Sequence, residues 1–162
     1  MNALELLKKE RVRQITDEGW TPEHDQKINC QGNLVRAAAC YLDWDRQNGV
    51  EPMAMPTGWP WERRWWKPTA QKGQEGITHE LIRGGALLMA EYDRLCVQHG
   101  IPGDSVTDID GVMAKPEKAR NFQFFAQDII KKYLDEPDDT TRDPKKLLEA
   151  AVLIAKAIEN NK

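Results

Sequence analysis

Residues 79 to 98 read HELIRGGALLMAEYDRLCVQ, and the reading of this stretch decides the architecture. The segment GGALLMA is hydrophobic almost all round, the pattern of a helix at the centre of a protein rather than on its surface. Gly84 and Gly85 cost helix propensity there. Such a cost points to a packing reason, most simply a close crossing with the alanine run Ala37, Ala38 and Ala39 of a neighbouring helix.

Two helices precede this central one. From Ala3 to about Glu18, Leu4, Leu7, Val12 and Ile15 keep to one helical face and Gly19 supplies the stop. Arg11 interrupts that face, so its head either snorkels to the core edge or faces a ligand. GWTPEHDQKINCQGN, residues 19 to 33, has turn formers and no period and reads as a loop. Helix resumes at NLVRAAACYLDWDRQN, residues 33 to 48, with Asn33 as the expected N-cap. A long connection from Gly49 to Gly76 follows, and it holds WPWERRWWKP at residues 59 to 68. Its tryptophans fit neither a helical nor a strand period, Pro60 and Pro68 disfavour both, and the aromatic content argues against disorder, so it reads as an ordered loop.

Beyond the central helix, HGIPGDSVTDIDG (residues 99 to 111) is a turn-rich break. PEKARNFQFFAQDIIKKYLDE and DPKKLLEAAVLIAKAIENN then read as two amphipathic helices, the second opened by Asp143 as N-cap and Pro144 at the first helical position. The expected fold is all-α, a compact bundle of about five helices with a long Trp/Pro-rich ordered loop between the second and third. Residues 1–99 form the expected ligand-binding core. Residues 100–162 form a two-helix extension, packed on that core or placed in a homo-oligomer interface.

Composition narrows the function classes. At 162 residues the chain is about one domain long, and its formal charge of −3 is spread without a basic stripe, which disfavours duplex nucleic acid. No apolar run approaches a membrane span, so the expectation is a protein of the cytosol with no membrane partner. Cys30, Cys40 and Cys96 form no CxxC pair, and His24, His79 and His99 match no zinc spacing. DIDG at residues 108 to 111 lacks the closing glutamate of a calcium loop and reads as a turn. Signature loops of dinucleotide, triphosphate and serine-hydrolase sites are also missing from the sequence. No catalytic residue, cofactor or metal ligand is assigned.

The positive signal is a set of flat aromatic faces beside cations, which is what a nucleotide requires: bases stack on rings, and phosphates take Arg or Lys donors. The candidate ligand-binding residues are Arg11, Gln14, Trp20, Thr21, His24 and Asp25 around the first loop, Tyr41, and Trp59, Trp61, Arg64, Trp65, Trp66 and Lys67 of the tryptophan segment. A pinned loop with buried indoles is the competing reading of that segment. A second candidate chemistry is metal-dependent hydrolysis of the kind run by all-helical MazG-type nucleotide pyrophosphohydrolases, using Glu80, Glu91 and Asp93. The second helix lacks that family's ExxE, which leaves half of the carboxylate cage unaccounted for. A third candidate role is a protein interface built on Trp and Arg.

ERVRQ (10–14), EGWTPEHD (18–25), AAACYL (37–42), WPWERRWWKP (59–68) and ALLMAEYDRL (86–95), in this order, resemble the segments of a family of small phage and prophage proteins. That resemblance implies a phage origin, hence the host cytosol, and by itself no activity. Glu10, Arg11, Glu18, Gly19, Trp20, Thr21 and Asp25 are similar to the opening of the ryanodine-receptor repeat domain, whose bacterial versions are linked to nucleotide-derived signals. After Asp25 the chain departs from that repeat, with no LVPY segment. By class the pattern resembles phage proteins that sequester immune nucleotide signals, such as the ADP-ribose derivatives made by bacterial TIR enzymes. The expectation is therefore an anti-defence sponge for a small nucleotide-type ligand, without catalysis.

Overall fold

The computed structural model describes residues 1–49, 51, 53–71, 73–112 and 122–160. Among these residues the secondary structure is entirely helical: α1 (Ala3–Thr16), α2 (Pro22–Ile28), α3 (Asn33–Tyr41), α4 (Trp44–Gln47), α5 (Gly73–His99), α6 (Ser105–Asp108), α7 (Phe122–Asp135) and α8 (Lys145–Asn160), with 3-10 turns at Arg63–Trp65 and Ile109–Gly111. Five of the eight correspond to the helices expected from periodicity. The three short ones fall where a loop, a helix end and a turn were read. In α2 the reason is local, because Thr21 Oγ1 accepts the His24 amide at 3.2 Å and Pro22 occupies the first turn, two start signals that need no apolar period. Residues 116 to 121 of the expected fourth helix lie outside the described residues.

Helix α5 is the axis of the fold. It packs against α1, α2, α3, α6 and α8, and sixteen of its 27 residues are buried. The glycine pair has a packing reason, but not the expected one. A Cβ on Gly84 would sit 2.5 Å from Leu42 Cγ, just past the end of α3, and one on Gly85 would sit 2.7 Å from Leu7 Cδ2 of α1. The close approach is therefore made by Leu42, at the C-cap of α3, and by Leu7 of α1, not by the alanine run. Asn33 does not cap α3 either: the cap is Gly32, whose φ of 78° suits glycine. A Cβ there would also meet Leu134 of α7 at 3.3 Å.

The buried stripe of α1 is Ala3, Leu7, Arg11 and Gln14, whereas Val12 points to solvent. That stripe is rotated from the face expected from Leu4, Val12 and Ile15. The cause lies on α5: Arg11 Nε donates to Asp93 Oδ2 at 2.8 Å, and its side chain is fully buried. At the other end of the chain, α8 buries ten residues, from Leu147 to Ile158, against α5, α7 and α1. Asp143 Oδ1 accepts the Lys145 amide at 3.0 Å, so the expected start signal operates, with the helix opening one residue after Pro144. Apolar residues from Ala3 to Ile158 form one core cluster.

Candidate functional site

The residues linking α4 to α5 are held against the bundle by bonds from both sides. Glu80 of α5 accepts the Thr69 amide at 2.7 Å and pairs with Arg46 of α4 at 2.6 Å, while Arg83 donates to the Lys67 carbonyl. Two of the indole N–H groups are spent in the same way, Trp66 on the Met53 carbonyl at 3.1 Å and Trp61 on Asn29 Oδ1 at 3.1 Å. The rings then build a connected aromatic wall. Tyr41 stacks on Trp66 with centroids 4.9 Å apart, Trp59 meets Tyr41, Trp61 and Trp66 edge-on, and Trp61 meets Trp20 edge-on at 5.5 Å. Offset and edge-to-face contacts are the arrangements that the ring quadrupole favours. Burial pushes the Tyr41 phenol up to about 12, so it stays neutral across the physiological range.

The segment thus divides its tryptophans between two tasks. Trp59 and Trp66 are buried anchors, Trp20 and Trp61 are half-buried, and Trp65 is 45% exposed. Lys67 Nζ lies 5.6 Å and the Arg64 guanidinium 5.4 Å from the Trp65 ring centroid.

A cavity of about 390 Å³ opens between this wall, α1 and α5. The aromatic wall supplies Trp20, Tyr41, Trp59, Trp61 and Trp65, joined by Lys67. From α1 come Glu10, Arg13 and Gln14, and Glu18 follows that helix; α5 contributes His79, Ile82, Arg83 and Leu87. Its size falls within the usual range for small-molecule sites. The charges are not equivalent. Arg13 is held by Glu10 through two 2.8 Å bonds and by Glu18 through a third, so it is largely neutralised. Lys67 makes no ion pair among the described residues and is the most available cation on the wall.

The structure brings together Gln14, Trp20, Tyr41, Trp59, Trp61, Trp65 and Lys67 of the residues expected at the site. Others lie elsewhere. Arg11 neither snorkels nor faces this cavity: its guanidinium is sealed in the core, bonded to Asp93, the Trp20 carbonyl at 3.2 Å and Gln14 at 3.4 Å. Asp25 is also fully buried, accepting from Asn29 at 2.7 Å. Thr21 caps α2, Arg64 is exposed beside Glu62, and Trp66 is one of the anchors. His24 borders a second cavity. Sequence reading did not assign His79, Ile82, Arg83 and Leu87, although their spacing of three, four and eight residues places them on one face of α5.

The carboxylates proposed for metal-dependent hydrolysis are each engaged by arginine. Glu91 takes a two-bond clamp from Arg94 at 2.9 and 2.8 Å and accepts the Tyr133 hydroxyl at 2.6 Å. Asp93 is held by Arg11 and by the Ser105 amide and hydroxyl, and Glu80 by Arg46. Eleven helical residues separate Glu80 from Glu91, about 16 Å of rise, too far to share one ion. Among the described residues no group of three or more His, Cys, Asp or Glu is arranged to hold a metal. Nor is any helix among them long and apolar enough to cross a membrane. Comparison of the chain with protein-family models, with curated proteins and with solved structures finds no match.

Proposed function

We propose that this chain binds a small nucleotide-type ligand at the tryptophan-lined cavity and holds it intact. The observation that carries the reading is the juxtaposition at one concavity of indole faces, Trp61 and Trp65 foremost, with the uncompensated ammonium of Lys67 and the guanidinium of Arg83. A base stacks on such rings and a phosphate is attracted to such cations. Sequestration fits better than turnover, because the acidic residues that would assemble a metal cage are locked in separate arginine pairs. Joined to the resemblance to small phage proteins, this becomes capture of a nucleotide-derived immune signal, such as an ADP-ribose derivative, in the cytosol of an infected cell.

The test is mass spectrometry of any ligand released from the purified protein by denaturation, followed by titration calorimetry with ADP-ribose and ADP. An intact nucleotide, rebound by the refolded protein, is the expected result. Trp65→Ala weakens that binding by about 1–3 kcal/mol, the worth of one stacked base, and leaves the melting temperature nearly unchanged because the ring is half exposed. Phosphate release in magnesium or manganese above a Glu91→Gln control, or no affinity for any nucleotide, overturns the reading.

A further inference from the structure

The cavity just described is not isolated. A second one, of about 520 Å³, shares Glu18, Trp20, Trp61 and Trp65 with it and extends to His24, Ile28, Asn29, Pro60 and Glu62. The two differ in charge. Among the described residues no lysine or arginine lines the second cavity, and its carboxylates are already matched, Glu18 by Arg13 at 2.8 Å and Glu62 by Arg64 at 3.2 Å. Several of its polar groups are engaged within the fold. Asn29 donates to Asp25 and accepts from the Trp61 indole, while His24 Nδ1 lies 3.3 Å from Asp25 Oδ1.

What remains available is apolar surface. Two of the chain's exposed large hydrophobic residues, Ile28 at 62% and Trp65 at 45%, border this one concavity. Ile28 closes α2, and exposed apolar side chains around a hollow mark a surface that a ligand covers. An anion gains nothing there, whereas the first cavity carries Lys67 and Arg83.

We infer that the second cavity is the subsite for the uncharged ring of the ligand and that the first takes its phosphates, with Trp61 and Trp65 at the junction. The assignment rests on the nucleotide reading above and deepens it by fixing the ligand's orientation and what each end is read for. The Trp61 indole and the Asn29 amide are bonded within the fold, so what the cavity offers a ring is chiefly the faces of Trp20, Trp61 and Trp65 for stacking.

The two ends are separable by titration calorimetry at fixed ionic strength, with adenosine and ADP as probes and the full chain as wild type, Ile28→Asn and Lys67→Ala. Ile28→Asn lies on an exposed helix end and preserves the fold, which thermal melts verify. It weakens adenosine and ADP by the same factor, about fivefold for the loss of one apolar contact. Lys67→Ala weakens ADP about tenfold more than adenosine, as expected for loss of a charge-assisted phosphate contact. If Ile28→Asn leaves both affinities intact while Trp65→Ala lowers them, the ring sits in the first cavity: the nucleotide reading survives and this assignment does not. If wild type binds neither probe nor ADP-ribose, both are overturned.

Discussion

Replacing Arg11 by methionine removes a cation that two buried carboxylates face. Its Nε lies 2.8 Å from Asp93 Oδ2 and its Nη2 4.0 Å from Asp25 Oδ2, and both ion pairs are almost entirely shielded from solvent. Methionine keeps much of the volume, so the cost is electrostatic rather than that of a cavity. Among the described residues Asp93 retains the Ser105 amide at 2.6 Å and hydroxyl at 3.0 Å, and Asp25 retains Asn29 and His24. Breaking one side of a buried pair costs about 3–5 kcal/mol, a large share of a typical domain's stability of about 5–15 kcal/mol. At about 2–4 °C per kcal/mol for a chain of this size, the melting temperature falls by roughly 6–20 °C. The deficit depends on pH. Burial already pushes the Asp93 carboxyl above its ordinary range against the pull of Arg11 and Ser105. Without Arg11 it rises further, and a carboxyl raised in the folded state loses its stabilising contribution as pH rises through the folded value, so the variant recovers part of its deficit as the pH is lowered. Scanning calorimetry of wild type and Arg11→Met at two pH values measures both effects, and ligand titration well below the lower melting point shows whether binding survives. A variant that melts with wild type yet binds no nucleotide refutes the structural role and returns Arg11 to the site.

Three further outcomes follow from the packing. Gly84→Ala brings a methyl group to 2.5 Å from Leu42 Cγ, and urea denaturation should register about 1–3 kcal/mol of overpacking, whereas an ordinary helix position would gain from the change. Deleting residues 138 to 162 removes α8 and uncovers apolar faces of α5, α7 and α1, so the truncated chain should aggregate on size-exclusion chromatography; a monodisperse, ligand-competent product would contradict this. Burial alone would raise the Asp139 carboxyl, but Arg94 and Arg142 outweigh it and hold the group below the usual carboxylate range. Its contribution is therefore present above the ordinary value and is lost as pH falls through the depressed one, so Asp139→Asn should be less stable than wild type at neutral pH and converge with it in acid melts.

The helical class was legible because it is written in local periodicity. The apolar run of α5 and the alternating faces of α7 and α8 survive in the structure. Failures occurred where a distant residue decided the outcome. Val12 belongs by composition on the inward face of α1, yet Arg11 takes that face because its partner is Asp93, 82 residues away. Likewise, Gly84 and Gly85 announce a close approach, but nothing near them in sequence says that Leu42 and Leu7 make it. Short α2 escaped notice for the opposite reason: two turns are too few to show a period, although Thr21 and Pro22 carried the start signal.

The tryptophan segment was legible as an ordered loop with aromatic faces, but not in its division of labour. An indole buried against Tyr41 and one stacked beside Lys67 are the same letter in the sequence, and only the surrounding helices tell them apart. Trp59 and Trp66 sit over α3 and its aromatic partner, where removing an indole should cost about 3–5 kcal/mol of stability. Trp65 faces outward between two cavities, where its removal should cost affinity instead. Carboxylates pose the same difficulty with the opposite result. Glu91 on a central helix invites a metal reading until Arg94, three residues on, and Tyr133, from α7, are found to occupy its oxygens. Desolvation explains the difference: a charge buried that deeply must be neutralised, and the fold supplies arginine. Lys67 lies where solvent still stabilises an unmatched charge, and it is at such partly exposed positions, beside rings that are not all buried, that this chain has the means to hold an anion.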